Sequence, residues 1–191
     1  LFSLRCPQTN TSPEEMTDWL KAVWRERGCG SFHEAHFFKW SEDGGFTPVL
    51  NFDRVRFSDL AGYDDYKLTI KANTDILRSG SRANNILLSG SKGSGKSSMI
   101  KATANEYASN GIKTVEIAKR DVGKIDKLFS QIASRGMKFI IFIDDISFDE
   151  NESSFREFKS AIEGCASVKP DNSVIYATSN LRHMVNERVQ E

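Results

Sequence analysis

Gly90-Ser91-Lys92-Gly93-Ser94-Gly95-Lys96-Ser97 is a run whose residue types and spacing suit one task, holding a chain of phosphates. Its glycines let the backbone fold back and aim N–H groups inward, and the positive end of a following helix completes an anion cradle. The ammonium of Lys96 is placed to reach the β- and γ-phosphates of a nucleoside triphosphate, and the Ser97 hydroxyl to ligate Mg2+. Ser91, Lys92, Gly93, Ser94, Gly95, Lys96, Ser97 and Ser98 are therefore the nucleotide-binding candidates of the loop. The same pattern can also be a plain glycine turn ahead of a helix, so its surroundings decide. Asn85-Ile86-Leu87-Leu88-Ser89 before it is a short apolar run of the kind a strand buried on both faces shows. Lys96 to Ala108 after it has helical composition.

Two further elements end in polar residues of the right chemistry. Lys138-Phe139-Ile140-Ile141-Phe142-Ile143 is a continuous apolar run that closes on Asp144-Asp145. A strand so composed is fully buried, and its acids emerge at its C-terminal end, where open parallel sheets bind ligands. Asp144 is placed to hold Mg2+ through water, and Asp145 to orient the attacking water as its proton acceptor. Ser173-Val174-Ile175-Tyr176-Ala177-Thr178 reads as another buried strand that delivers Ser179 and Asn180 at its tip. Taken alone, Ser-Asn is a common turn pair. Lys96, Asp144 and Asp145 are the candidate catalytic residues, with Ser97 and Asp144 as metal ligands.

In this order the loop, the paired acids and Ala177-Thr178-Ser179-Asn180 resemble the AAA+ ATPases. More closely, Arg82-Ala83-Asn84-Asn85-Ile86-Leu87-Leu88, Gly95-Lys96-Ser97-Ser98, Asp144-Asp145-Ile146-Ser147-Phe148 and Ile175-Tyr176-Ala177-Thr178-Ser179-Asn180 are similar to an uncharacterised bacterial AAA+ group, domain-of-unknown-function family 815. The resemblance runs from about Phe32 to the C-terminus. It implies ATP and Mg2+ as cofactors and leaves the substrate open. It also implies that Asn180 is the sensor-1 amide near the γ-phosphate, on a strand inserted between the loop strand and the acid strand. Many relatives place Glu where this chain has Asp145, one methylene shorter, which implies slow turnover. Phe57-Ser58-Asp59-Leu60-Ala61-Gly62-Tyr63 looks like the short AAA+ segment against the adenine ring, with Leu60, Ala61 and Gly62 making apolar and backbone contacts. For so short a motif a surface loop leading into a helix is the plain alternative.

The resemblance further implies a homo-oligomer when ATP is bound, because an arginine acts across the subunit interface. Arg182 and Arg188 are the arginines after Asn180, and a solvated role is preferred for both. An AAA+ module normally continues into a fifth strand and a helical lid with a second sensor arginine. This chain ends at Glu191 without that lid and begins without methionine, so a longer protein is expected.

The elements that must position these groups are legible in outline. Ser12-Pro13-Glu14-Glu15 combines an N-cap serine, a proline at the first position and a capping-box glutamate, predicting a helix to Gly28. Met16, Trp19, Leu20, Val23 and Trp24 fall on one stripe, expected to pack on the core, with a partner groove as the alternative. Phe37 to Trp40 and Phe46 to Leu50 flank a glycine turn and read as a hairpin. A helix follows Tyr63 and stops at Ser79-Gly80, Ile112 to Ile117 is a strand, and Ile125, Leu128, Phe129 and Ile132 mark a crossing helix. Ser153 to Cys165 is read as another helix, with Phe155, Phe158 and Ile162 inward. Alternating strands and helices predict a three-layer α/β sandwich with a parallel sheet, and the resemblance implies that it is a P-loop fold of AAA+ type. Residues 1–50 are read as an N-terminal helix and hairpin extension and residues 51–191 as the nucleotide-binding core.

Composition agrees. The 191 residues are 39% hydrophobic, enough for one α/β domain with an extra piece. Lys+Arg and Asp+Glu number 26 each, so no global basic field advertises nucleic acid, although a local patch would suffice to bind it. Lys119, Arg120, Lys124 and Lys127 are interspersed with Asp121 and Asp126, the pattern of a solvated helix face. Cys6, Cys29 and Cys165 form no CxxC pair, which fits a reducing cytoplasm. Cys29, His33 and His36 lack a fourth ligand, so satisfied or exposed histidines are preferred to a metal site. No apolar stretch reaches the ~18 residues of a membrane span and no signal sequence is visible. The expected protein is a soluble cytoplasmic Mg-dependent ATPase that remodels or assembles a partner, protein or nucleic acid. The alternative is a nucleotide-dependent binding module with little turnover.

Overall fold

A computed structural model describes residues 11–146 and 169–180. The helix read at Ser153 to Cys165, the Ser147-Phe148 end of the acid motif, and Arg182 and Arg188 lie outside the described residues.

Ser12 and Glu15 form the expected capping box: the Glu15 N–H donates to Ser12 Oγ (3.2 Å), and the Ser12 N–H donates to Glu15 Oε2 (3.0 Å). Helix α1 (Pro13–Arg27) follows from it. Its apolar stripe is only partly covered, contrary to a simple packing on the core. Met16, Trp19, Leu20 and Val23 are half-buried, and Trp24 is 52% exposed. The last turn of α1 makes a close approach. At Gly136 an added Cβ would lie 2.6 Å from the Arg25 carbonyl oxygen, so only glycine lets the helix end come this near. A short helix α2 (Ser31–Glu34) then leads into strand β1 (Phe37–Ser41) and, through a glycine turn, strand β2 (Gly45–Pro48).

After a single 3-10 turn at Phe57–Asp59 come helix α3 (Asp64–Arg78), strand β3 (Ile86–Ser89) and helix α4 (Lys96–Tyr107). A 3-10 turn (Ala108–Asn110), strand β4 (Ile112–Ile117), a 3-10 segment (Lys119–Lys124), helix α5 (Ile125–Ala133), strand β5 (Lys138–Ile143) and strand β6 (Ser173–Ser179) complete the described elements. The six strands form one sheet in the order β2-β1-β4-β5-β6-β3. Only the β1–β2 pair is antiparallel. Strand β6 lies between the loop strand β3 and the acid strand β5, as the family resemblance implies. The hairpin joins the same sheet, with β1 parallel to β4 in the register Phe38↔Val115 and Trp40↔Ile117.

Strict alternation divides the central strands between two cores, since successive side chains leave opposite faces. Phe139, Ile141, Ile143, Ile175 and Ala177 join Phe38, Trp40 and the α5 residues Ile125, Leu128, Phe129 and Ile132 on one face. Ile140, Phe142, Val174 and Tyr176 join Ile70 and Leu77 of α3 and Met99 and Ile100 of α4 on the other. Helices therefore cover both faces in three layers, as expected. Across the second core Tyr176 acts as a brace: its hydroxyl oxygen meets Asn73 Nδ2 (3.1 Å) and Thr74 Oγ1 (2.8 Å) on α3. Asn73 also exchanges hydrogen bonds with the Asn84 backbone, tying α3 to the approach of the loop strand. Among the described residues no helix is long and apolar enough to cross a membrane.

Candidate nucleotide site

The register brings three strand ends to one edge. Ser89 pairs with Ser179 and Ile143 with Ala177, so the phosphate loop, Asp144-Asp145 and Asn180 all leave the sheet together. The loop is pinned to the middle strand by the Gly90 N–H, which donates to the Ser179 carbonyl (3.2 Å). It enters α4 through Gly95 at φ 82°, a left-handed conformation that a side chain would strain. Lys96 Nζ donates to the carbonyls of Gly90 (3.0 Å) and Ser91 (2.7 Å) and to Ser94 Oγ (3.3 Å). Its charge is thus held directly over the concave face of the loop.

Ser97 Oγ donates to Asp144 Oδ1 at 2.6 Å. The predicted metal ligands are therefore already in contact, one hydroxyl and one carboxylate, the oxygen donors that Mg2+ takes. Thr178 Oγ1 donates to the same carboxylate oxygen at 2.6 Å. Asp145 lies beside them in a left-handed conformation, φ 53°, which costs a non-glycine residue on the order of 1 kcal/mol and persists only where neighbours impose it. Its N–H donates to Thr178 Oγ1 (2.8 Å), and the next amide, of Ile146, donates to the Thr178 carbonyl (2.7 Å). Asn180 Nδ2 donates to Asp145 Oδ1, and Lys119 Nζ lies 3.9 Å from Asp145 Oδ2.

A cavity of about 470 Å³ opens from the loop onto α3. Gly90, Ser91, Ser94 and Lys96 form one end, and Tyr63, Tyr66, Ile86, Leu88 and Met99 line the remainder. Tyr63 and Tyr66 are 50% and 59% exposed, with ring centroids 6.1 Å apart. Leu60, Ala61 and Gly62 immediately precede this lining and are not among the residues that form it. Leu60 packs on the second core, while Ala61 and Gly62 are exposed.

Sequence reasoning missed Lys119 and Tyr66 as members of this region, and it quoted Thr178 and Tyr63 within motifs without giving either a contact of its own. Thr178 had a usable signal: with β6 beside β5 and Ala177 level with Ile143, the next residues, Thr178 and Asp144, must be neighbours. Lys119 was grouped with a solvated basic face. It follows β4 at the same sheet edge, whereas Lys124 and Lys127 both pair with Glu42 of the hairpin. Those contacts, Lys124 foremost, pull the Glu42 carboxyl down to about 2. His36, one of the histidines weighed as a ligand, is paired through Nε2 with Asn105 Oδ1 at 3.2 Å.

A mostly parallel six-stranded sheet, helices on both faces and a phosphate loop between β3 and α4 make this the three-layer α/β fold of the AAA+ P-loop ATPases. Within that class the chain belongs to the family described as "Protein of unknown function (DUF815)", which matches residues 33–191. It is 32% identical over 158 residues to a probable spastin homolog of Brugia malayi, covering 70% of this chain and 35% of that relative. It is 34% identical over 126 residues to the ATP-dependent zinc metalloprotease FtsH of Mycoplasma mobile, covering 54% of this chain and 17% of that protein. The chain thus spans about a third or less of these curated relatives. In fold it is similar to the structure of C. elegans PCH-2, with a TM-score of 0.51 at 19% identity, over 69% of this chain and 41% of that one.

Proposed function

We propose that this chain binds Mg-ATP and hydrolyses it, coupling nucleotide state to the remodelling or assembly of a partner in the cytoplasm. The observation that supports this best is the meeting of the Ser97 and Thr178 hydroxyls at Asp144 Oδ1, each at 2.6 Å, beside the glycine-rich loop and with Asp145 and Asn180 adjacent. Ser97 and Asp144 would hold Mg2+, Asp144 through water. When bound, the ion neutralises charge on the β- and γ-phosphate oxygens. Lys96 exchanges its carbonyl partners for those phosphates, and the loop N–H groups from Ser91 to Ser98 bind them in turn. Asp145 orients water and accepts its proton, while the Asn180 amide fixes the Asp145 carboxylate and presents a donor to the same place. The base lies against Tyr63 and Tyr66, with Leu60, Ala61 and Gly62 at the rim.

A second reading, a switch with little turnover, is favoured by the double engagement of Asp145 by Asn180 and Lys119, since partners at both oxygens leave the carboxylate fewer lone pairs with which to orient an attacking water. Calorimetric titration with Mg-ATP and steady-state phosphate release, with and without DNA, test both. Saturable binding with turnover supports hydrolysis, binding without turnover supports the switch, and no binding overturns both. Lys96→Ala should abolish binding, because charge-assisted bonds to phosphate contribute about 1.5–3 kcal/mol each and this ammonium makes more than one. A wild-type dissociation constant in that variant sinks the site assignment.

A further inference from the structure

Thr178 touches both acids, and neither the loop pattern nor the acid pair accounts for it. Its side chain is buried, 1% exposed, at the end of β6. The direction of its hydrogen bonds follows from chemistry alone. The Asp145 amide can only donate, so the hydroxyl oxygen accepts there at 2.8 Å, and its single proton goes to Asp144 Oδ1 at 2.6 Å. The Thr178 carbonyl takes the following amide, Ile146, at 2.7 Å. One residue therefore holds two consecutive amides around the left-handed Asp145 and one oxygen of Asp144. Ser97 contacts Asp144 and Asn180 contacts Asp145; Thr178 joins the two.

We propose that Thr178 is a positioning residue for Mg-nucleotide hydrolysis: through its hydroxyl it aims Asp144 at the metal position and holds the backbone turn that directs Asp145 at the attacking water. The inference rests on the nucleotidase reading above. Ser97 and Thr178 share Asp144 Oδ1, and only Ser97 is required to turn its oxygen toward a cation. Thr178 then remains as the donor that keeps the carboxylate from rotating. Valine has the shape of threonine and lacks both the donor and the acceptor, so Thr178→Val removes the clamp with little change in volume.

Binding of the phosphates belongs to the loop and should survive, while the geometry of both acids should not. In the full-length protein, Thr178→Val should keep the Mg-ATP dissociation constant within about threefold. It should lower kcat by about 10²-fold, the cost of misplacing a catalytic group by an ångström. The Mg2+ concentration for half-maximal turnover should rise. Thr178→Ser, which keeps the hydroxyl, should restore most of kcat. Should the valine variant not fold, Thr178→Ser and Thr178→Ala differ by the hydroxyl alone and give the same comparison. Wild-type kcat and Mg2+ dependence in Thr178→Val, or a serine variant as slow as the valine or alanine one, overturns the role of Thr178 and leaves the nucleotidase reading standing. Failure of the unsubstituted protein to bind Mg-ATP or release phosphate overturns both.

Discussion

Asp145 is held from three directions, by the Thr178 hydroxyl at its amide, by Asn180 at one carboxylate oxygen and by Lys119 near the other. The Lys119 pair is largely exposed and is worth at most about 1 kcal/mol, so it restrains the carboxylate without locking it. Asp145→Asn keeps the size of the side chain and loses its capacity to accept a proton. Nucleotide binding should persist at the wild-type constant while phosphate release falls by at least ~10²-fold, read by calorimetry and a coupled phosphate assay. Undiminished release would mean that the water is handled elsewhere. Lys96, Ser97, Asp144 and Asp145 could be singled out as candidates because each lies in a short contiguous pattern whose chemistry is local. Thr178 and Tyr63 were not read as site residues, because their relation to the site exists only once β6 and α3 are packed against the loop strand.

Elements were legible where a single periodicity or cap decides them. The capping box of α1, the continuous apolar run of β5 and the apolar stripe of α5 are local facts, and each appears where expected. Pairing partners are not local. The union of β1 with β4 joins residues more than seventy positions apart, and no pattern in Phe37 to Trp40 names its neighbour. The same holds for α1, whose stripe resembles that of a packed helix although its residues are no more than half-buried. Tyr176 shows how one side chain then links elements, and burial pushes its hydroxyl pKa up, keeping it a neutral partner for α3. Tyr176→Phe leaves Thr74 with the Ile70 carbonyl and Asn73 with the Asn84 carbonyl, so the loss should be near the lower end for a buried hydrogen bond, about 1 kcal/mol. Urea unfolding should give a lower midpoint at unchanged slope. An unchanged midpoint would mean that the hydroxyl contributes nothing to joining α3 to the sheet.

At the scale of the whole molecule the open question is what completes the site around the γ-phosphate. On the function proposed above, the described residues would supply a cradle, a metal pair, a water-orienting acid and an amide, all at one edge of one sheet. Among the described residues the cation paired with these acids is Lys119, which is engaged with Asp145. A transition state that spreads charge over three phosphoryl oxygens gains ~10³–10⁵ in rate from an arginine that reaches it, in the nucleotidases where this has been dissected. If a second copy supplies that arginine, as the family resemblance implies, turnover per molecule must depend on how many molecules meet. Phosphate release per mole of protein should therefore rise with protein concentration and level off. Light scattering should report an assembly over the same concentration range with ATP and a smaller species without it. Under an interfacial mechanism the two curves share a midpoint. A flat specific activity from a species that stays monomeric with ATP would assign all of the chemistry to one chain, and the self-contained switch would then be the better account of this protein.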